Sequence, residues 1–193
     1  FIGGTGNISL SCTCAALDRG IEVFHFNRGS TAVPGKRGMR IRSEVTTITG
    51  DIRDKEKAAS LLAQHRFDVV VDWFAFTPDH IKTDIELFRG RTDQLLFISS
   101  ASVYHKPPRS YIITESTPAY NPYWKYAQDK IACEKILMSE YKTNGLPVTI
   151  VRPSHTYGDG RIPTTFGSQD FTIPRRILEG REIIIHGDGQ SLW

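Results

Sequence analysis

Tyr126 and Lys130 stand four residues apart in the run Tyr123-Trp124-Lys125-Tyr126-Ala127-Gln128-Asp129-Lys130. On a helix, that spacing stacks both side chains on one face. A free phenol titrates at about 10 and is a poor base at neutral pH, but an ammonium within a few ångströms favours the phenolate. A tyrosine tuned in this way takes a proton from a substrate hydroxyl while hydride leaves the carbon. The same spacing also fits an exposed tyrosine–lysine pair on an ordinary helix. Upstream, Leu95-Leu96-Phe97-Ile98-Ser99-Ser100 ends an apolar run in two hydroxyls. Ser100 is suited to hydrogen-bond the oxygen that Tyr126 deprotonates, with a simple strand-ending turn as the alternative.

A second cluster opens the chain. Gly3-Gly4-Thr5-Gly6-Asn7-Ile8-Ser9 follows a strand end and precedes a helix. Gly3 permits a tight turn, and Gly6 lets backbone N–H groups approach a pyrophosphate seated on the helix N-terminus. Ser9 stands where a third glycine is usual and is small enough for close helix–strand packing. Gly3, Thr5, Gly6, Asn7 and Ile8 are thus the first candidate cofactor contacts. An acidic residue at the end of the second strand would hold a ribose 2′-hydroxyl. Asn27-Arg28 stand there instead, and a guanidinium suits a 2′-phosphate. The expected cofactor is NAD(P), with a lean to NADP. Lys36, Arg37, Arg40 and Arg42 follow and read as a solvated loop.

The elements that must position these residues alternate between strand and helix. Phe1-Ile2 reads as a strand tail, 7–18 as helix, 22–26 and 45–49 as strands, and 54–64 as a helix capped by Asp54. Residues 67–74 form a Val-rich run expected to be a central strand buried on both faces. Helix 79–89, strand 94–99, a loop over 101–122, the long helix 123–141 and strand 148–152 follow. A short helix near 174–179 and a strand at 182–185 complete the pattern. This spacing predicts an α/β fold, a doubly wound parallel sheet of Rossmann type. Residues 1–153 are expected to form the dinucleotide-binding domain with the catalytic helix, and 154–193 the start of a substrate-binding lobe. Both ends read as truncated, since the first strand holds two residues and the chain stops as that lobe begins.

The composition agrees. The 193 residues are 39% hydrophobic, 23% charged and 10% aromatic, with a net charge of +3. These values exclude a disordered, collagen-like or disulfide-scaffold protein, and the charge does not by itself imply nucleic acid or an anionic membrane. The longest apolar run, 67–76, is too short to span a bilayer. Three cysteines without zinc spacing read as buried small residues of a reduced, cytoplasmic protein, and no metal is expected.

Taken in order, six segments resemble the extended short-chain dehydrogenase/reductase family, the NAD(P)-dependent epimerases and dehydratases. They are Gly3-Gly4-Thr5-Gly6-Asn7-Ile8; Gly50-Asp51-Ile52-Arg53-Asp54; Ile98-Ser99-Ser100-Ala101-Ser102-Val103-Tyr104; Tyr126-Ala127-Gln128-Asp129-Lys130; Arg152-Pro153-Ser154-His155-Thr156-Tyr157-Gly158; and His186-Gly187-Asp188-Gly189. The resemblance implies that Asp51 and Ile52 contact adenine and that Ser100 and Tyr126 are catalytic. It also implies that Tyr126 and Lys130 contact the cofactor, Lys130 binding the nicotinamide ribose and lowering the tyrosine pKa, and that Pro153 flanks the nicotinamide. Ser100, Ser102 and His155 are the expected substrate contacts. The expected reaction is epimerisation, dehydration or reduction at a hydroxyl or carbonyl of a sugar or nucleotide sugar. A homodimer through the long helices is implied; membrane and nucleic-acid partners are not.

There are departures from the family pattern. Phe74 stands near the cofactor where alanine is usual. His155 replaces an asparagine, and Trp193 stands where nucleotide-sugar enzymes carry an arginine. These changes weaken a UDP-sugar assignment. Asp72, at the end of the Val-rich strand, has no role in this scheme. The alternative reading is a non-catalytic dinucleotide sensor or RNA-binding relative of the same fold, with the basic 28–42 loop as its contact surface.

Overall fold

A computed structural model of the chain describes residues 1–29, 42–157, 162, 171–185, 187 and 189. Lys36, Arg37, Arg40, Gly158, His186, Asp188 and Trp193, singled out above, lie outside the described residues. The elements are α1 (Asn7–Leu17), β1 (Phe24–Asn27), β2 (Thr46–Thr49), α2 (Lys55–Leu62), β3 (Phe67–Asp72), α3 (Pro78–Phe88), β4 (Thr92–Ile98), a 3₁₀ turn (Ala101–Val103), α4 (Lys125–Asn144), β5 (Val148–Val151) and α5 (Thr172–Leu178).

Every strand pairing is parallel. Phe24 of β1 lies opposite Thr46 of β2, Val70 of β3 opposite Leu95 of β4, and Leu96 of β4 opposite Thr149 of β5. Ile2 joins the two groups by bridging Phe26 on one side and Asp72 on the other. The spatial order is therefore β2, β1, Ile2, β3, β4, β5, a Rossmann arrangement reached through helical crossovers.

Local chemistry sets the helix ends. The Asp54 carboxylate accepts the Lys57 N–H at 3.2 Å and starts α2. Pro78 sits in the first turn of α3, where its missing N–H costs nothing. Gly145, at φ +69°, ends α4 in the left-handed conformation. The core is built from Ile81, Ile85 and Phe88 of α3, Cys133 and Leu137 of α4, and Val70, Leu95 and Phe97 of the sheet.

Three expectations are corrected. β3 is buried only in its second half; Asp68 and Val69 are exposed, because they line a cavity at the amino ends of β3, β4 and β5. Residues 182–185 are not a strand, since no neighbouring strand among the described residues pairs with them. Cys12 and Cys14 are half-buried, and of the three cysteines only Cys133 is in the core. Among the described residues, no helix is long and apolar enough to cross a membrane.

Candidate active site

Parallel strands bring their carboxyl ends to one edge, where a doubly wound sheet opens its ligand crevice. Gly3, Arg28, Gly50-Asp51, the segment 73–76, Ser99-Ser100 and Arg152-Pro153 all follow strand ends and meet along that edge. Backbone hydrogen bonds lock them in place. The Gly3 N–H donates to Phe26 O at 3.2 Å, Gly50 N–H to Asn27 O at 2.9 Å, and Ala101 N–H to Pro153 O at 2.9 Å.

The glycine turn is stitched closed by Ser9. Its hydroxyl donates to Gly3 O at 3.0 Å and accepts the Gly6 N–H at 2.7 Å. Ser9 is thus more than a small packing residue, and the Gly6 N–H is committed to it. Gly3 has φ +80°, which favours glycine. Gly4 is compelled by contact, because a Cβ there would fall 2.3 Å from the His25 ring. Thr5 lies in the turn, and Asn7 and Ile8 open α1.

At the adjoining edge, Phe74 packs against the Gly3 turn and lies under two guanidinium groups. Arg28 is 5.7 Å and Arg53 5.0 Å from its ring centroid. Phe74 therefore does not stand alone in the space that a smaller residue would leave. The Asp51 carboxylate accepts the Arg53 N–H at 3.0 Å. Ile52, Arg53, Phe74 and Ala75 line a cavity of about 210 Å³ whose floor includes Asp72 and Asp84. A larger cavity, about 410 Å³, lies at the amino ends of β3, β4 and β5, and no candidate residue lines it.

The structure brings Ser100, Tyr126 and Lys130 together. Ser100 Oγ accepts the N–H of Ser102 at 3.2 Å and its hydroxyl at 2.9 Å, and it lies beside Tyr126, whose phenol it pulls downward. Lys130 is almost fully buried, with Nζ donating to Ala75 O at 2.5 Å and Ile98 O at 2.7 Å. Rings of Phe76 and Phe97 surround the ammonium at 4.9 and 4.6 Å from their centroids. Burial pulls Lys130 down to about 8, opposed first by the charge of Asp72.

The expected effect of Lys130 on Tyr126 is not found. Burial holds the phenol above its ordinary value, and the opposing pull comes from Ser100. The physical reason is direction: the ammonium is turned into two backbone carbonyls, 5.7 Å from the Tyr126 ring centroid.

Behind this trio stands a network that the sequence reading missed. Glu134 accepts Arg152 Nε–H at 2.9 Å, Arg152 Nη2–H at 2.6 Å and the Ser99 hydroxyl at 2.5 Å. It ties α4 to the ends of β4 and β5. Its signal was its position four residues after Lys130, on the same helix face. Asp84 was also missed; it occupies an apolar register beside Ile81, Ile85 and Phe88. Pro153 and Ser102 are half-buried near the trio's strand ends, whereas His155 is exposed.

The profile of the NAD dependent epimerase/dehydratase family matches residues 2–193, and the chain belongs to that family. It is 24% identical over 98% of its length to a dTDP-glucose 4,6-dehydratase of Xanthomonas campestris pv. campestris (strain B100), covering 61% of that protein. It is 26% identical over 97% of its length to the chloroplast stem-loop binding protein of 41 kDa b of Arabidopsis thaliana, covering 48% of it. The chain thus spans about half to three fifths of the length of these relatives. Among solved structures, UDP-glucose 4-epimerase of Thermotoga maritima with UDP-glucose superposes with a TM-score of 0.76 at 19% identity, covering 98% of this chain and 66% of that one. The UDP-glucose 4-epimerase of Thermus thermophilus in complex with NAD gives 0.73 at 24%, covering 94% and 63%. At these identities the superpositions show the fold.

Proposed function

We propose that this chain is the dinucleotide-binding and acid/base part of an NAD(P)-dependent enzyme that epimerises, dehydrates or reduces a sugar or nucleotide sugar. The convergence of Ser100, Tyr126 and Lys130 at the crevice edge carries the reading. The family match and the relatives named for nucleotide-sugar chemistry support it. A dinucleotide fits the residue types present: the Gly3–Gly6 turn opens α1, and Phe74, which packs beside Gly3, also lines the 210 Å³ cavity.

Residues 3–8 would hold the pyrophosphate, Asp51 and Ile52 the adenine, Lys130 the nicotinamide ribose, and Pro153 would flank the nicotinamide. Asn27-Arg28 favour a 2′-phosphate, and Arg53 beside Phe74 adds a second guanidinium, so NADP is the preferred form. The nicotinamide, when bound, supplies reversible hydride acceptance. All proton movement belongs to the protein. Tyr126 Oη exchanges a proton with a substrate hydroxyl, and Ser100 steadies that oxygen by hydrogen bonding. Because burial raises the phenol, Tyr126 holds its proton at rest and surrenders it only when positive charge gathers in the crevice. Ser102 and His155, with the segment after 153, would face the substrate. A cytoplasmic homodimer belongs to the same proposal.

Calorimetry with NAD and NADP, followed by turnover on a panel of sugars and nucleotide sugars, tests it. Arg28→Ala should weaken NADP binding about tenfold, roughly 1.4 kcal/mol, and leave NAD within threefold. Equal or tighter NAD binding by the parent protein would overturn the NADP preference, and binding of neither would overturn the reading. A nucleic-acid-binding alternative draws support from the relative named for stem-loop binding. It requires a strongly salt-dependent RNA affinity at physiological ionic strength.

A further inference from the structure

Asp72, at the end of β3, and Asp84, on α3, are 3% and 2% exposed and line the same cavity. Two buried carboxyl groups in contact are costly unless something compensates them. Asp72 Oδ1 accepts the N–H of Phe74 at 2.5 Å and of Ala75 at 2.9 Å, and so folds the chain sharply after β3. The carbonyl of the same Ala75 accepts the Lys130 ammonium at 2.5 Å. One residue therefore links the Asp72 carboxylate to Lys130.

Asp84 lies beside Asp72 in the wall of the 210 Å³ cavity. Two carboxylates cannot share a hydrogen bond without a proton, and Asp72 is already an acceptor twice over. Burial first, and the charge of Asp72 second, hold Asp84 well above the usual carboxylate range. Among the described residues, no group hydrogen-bonds the buried Asp84 Oδ2. Among the described residues, the charged or titratable groups near this pair include the Phe1 amino group, Lys130 and Cys133 of α4, Glu134 beside Lys130 and, across the cavity, Arg53 of the β2–α2 connection and Asp79 and His80 of α3. Glu134 is itself neutralised by Arg152.

We propose that Asp72 and Asp84 form a one-proton pair that positions Lys130, with Asp84 donating to Asp72 and Asp72 fixing the turn whose carbonyl at Ala75 receives the ammonium. The proposal rests on the reading of Lys130 as a dinucleotide-binding residue, but its test does not. In protein labelled with ¹³C at aspartate carboxyl carbons, the resonance lost in Asp84→Asn should stay in the protonated range at pH 7. In protein labelled at lysine Cε, Asp72→Asn should lower the Lys130 titration midpoint by about one unit or more, because a neighbouring negative charge is gone. Asp84→Asn keeps a donor and should hold dinucleotide affinity within about threefold, whereas Asp84→Leu should lower it about tenfold or more by stranding the turn. An Asp84 carboxyl that titrates below pH 5, or a Lys130 midpoint unmoved by Asp72→Asn, would overturn the pair even if Asp84→Leu failed to fold. A parent protein that shows both NMR signatures yet binds no dinucleotide would support the pair and defeat the functional reading.

Discussion

Gly4→Ala replaces one hydrogen with a methyl group, and the structure sets the consequence. The added Cβ would lie 2.3 Å from His25 Cδ2 and Nε2 and 2.6 Å from Cε1. Ordinary carbon contacts lie at about 3.5–4.0 Å, so the ring must retreat by more than about 1 Å. It has nowhere to go, because His25 is fully buried. The ring is also tethered. Thr13 Oγ1 donates its single proton to Ser9 O at 2.9 Å, so its contact with His25 Nε2 at 2.8 Å has the imidazole as donor. Overpacking is worth about 1–3 kcal/mol, and stranding the imidazole donor about 1–3 more. The expected loss is therefore about 2–6 kcal/mol, a large share of a typical domain's stability of about 5–15 kcal/mol. Urea unfolding monitored by tryptophan fluorescence reads it. Placing His25→Ala in the same chain removes the obstruction, so the double variant should be no less stable than His25→Ala alone, a coupling as large as the Gly4→Ala loss and so about 2 kcal/mol or more. A Gly4→Ala protein within about 0.5 kcal/mol of the parent, or strictly additive losses, would refute the packing argument.

Two further outcomes follow from buried charge. Glu134→Leu leaves the Arg152 guanidinium facing a former partner site and should destabilise by about 3–5 kcal/mol; adding Arg152→Leu should return part of that loss, as read by the denaturant midpoint. Burial holds His25 down to about 4, against about 6.5 for the unfolded chain. The unfolded chain binds the extra proton across that window, so stability is full above about pH 6.5 and falls as pH drops toward 4, by roughly 3 kcal/mol; His25→Gln should flatten that limb of the stability–pH curve.

The fold was legible because periodicity and turn chemistry agree along most of the chain. Asp54, Pro78 and Gly145 each mark a helix end by a local mechanism, and the Val-rich run read as a strand over 67–74 is one over Phe67–Asp72, though only its second half is buried. What escaped is what depends on distant partners. The 182–185 segment has strand-like residues but no ladder to join. The crevice residues were legible by motif, but the direction of the Lys130 ammonium was not. It is decided by the Ala75 and Ile98 carbonyls, which lie 55 and 32 residues away in the chain. Asp84 and Glu134 look like ordinary polar helix residues until their burial is known. Asp72 lacked a role in the sequence because its partners are two backbone N–H groups and a carboxyl on another helix.

We propose that Tyr126 moves the proton in a crevice where other residues supply most of the dinucleotide's contacts. Comparing Tyr126→Phe with the parent protein on the best substrate of the nucleotide-sugar panel tests this most directly. Turnover should fall by about 10²–10⁴-fold, the usual contribution of a positioned acid/base, while dinucleotide affinity stays within about threefold. A phenylalanine variant that keeps parental turnover would contradict the account.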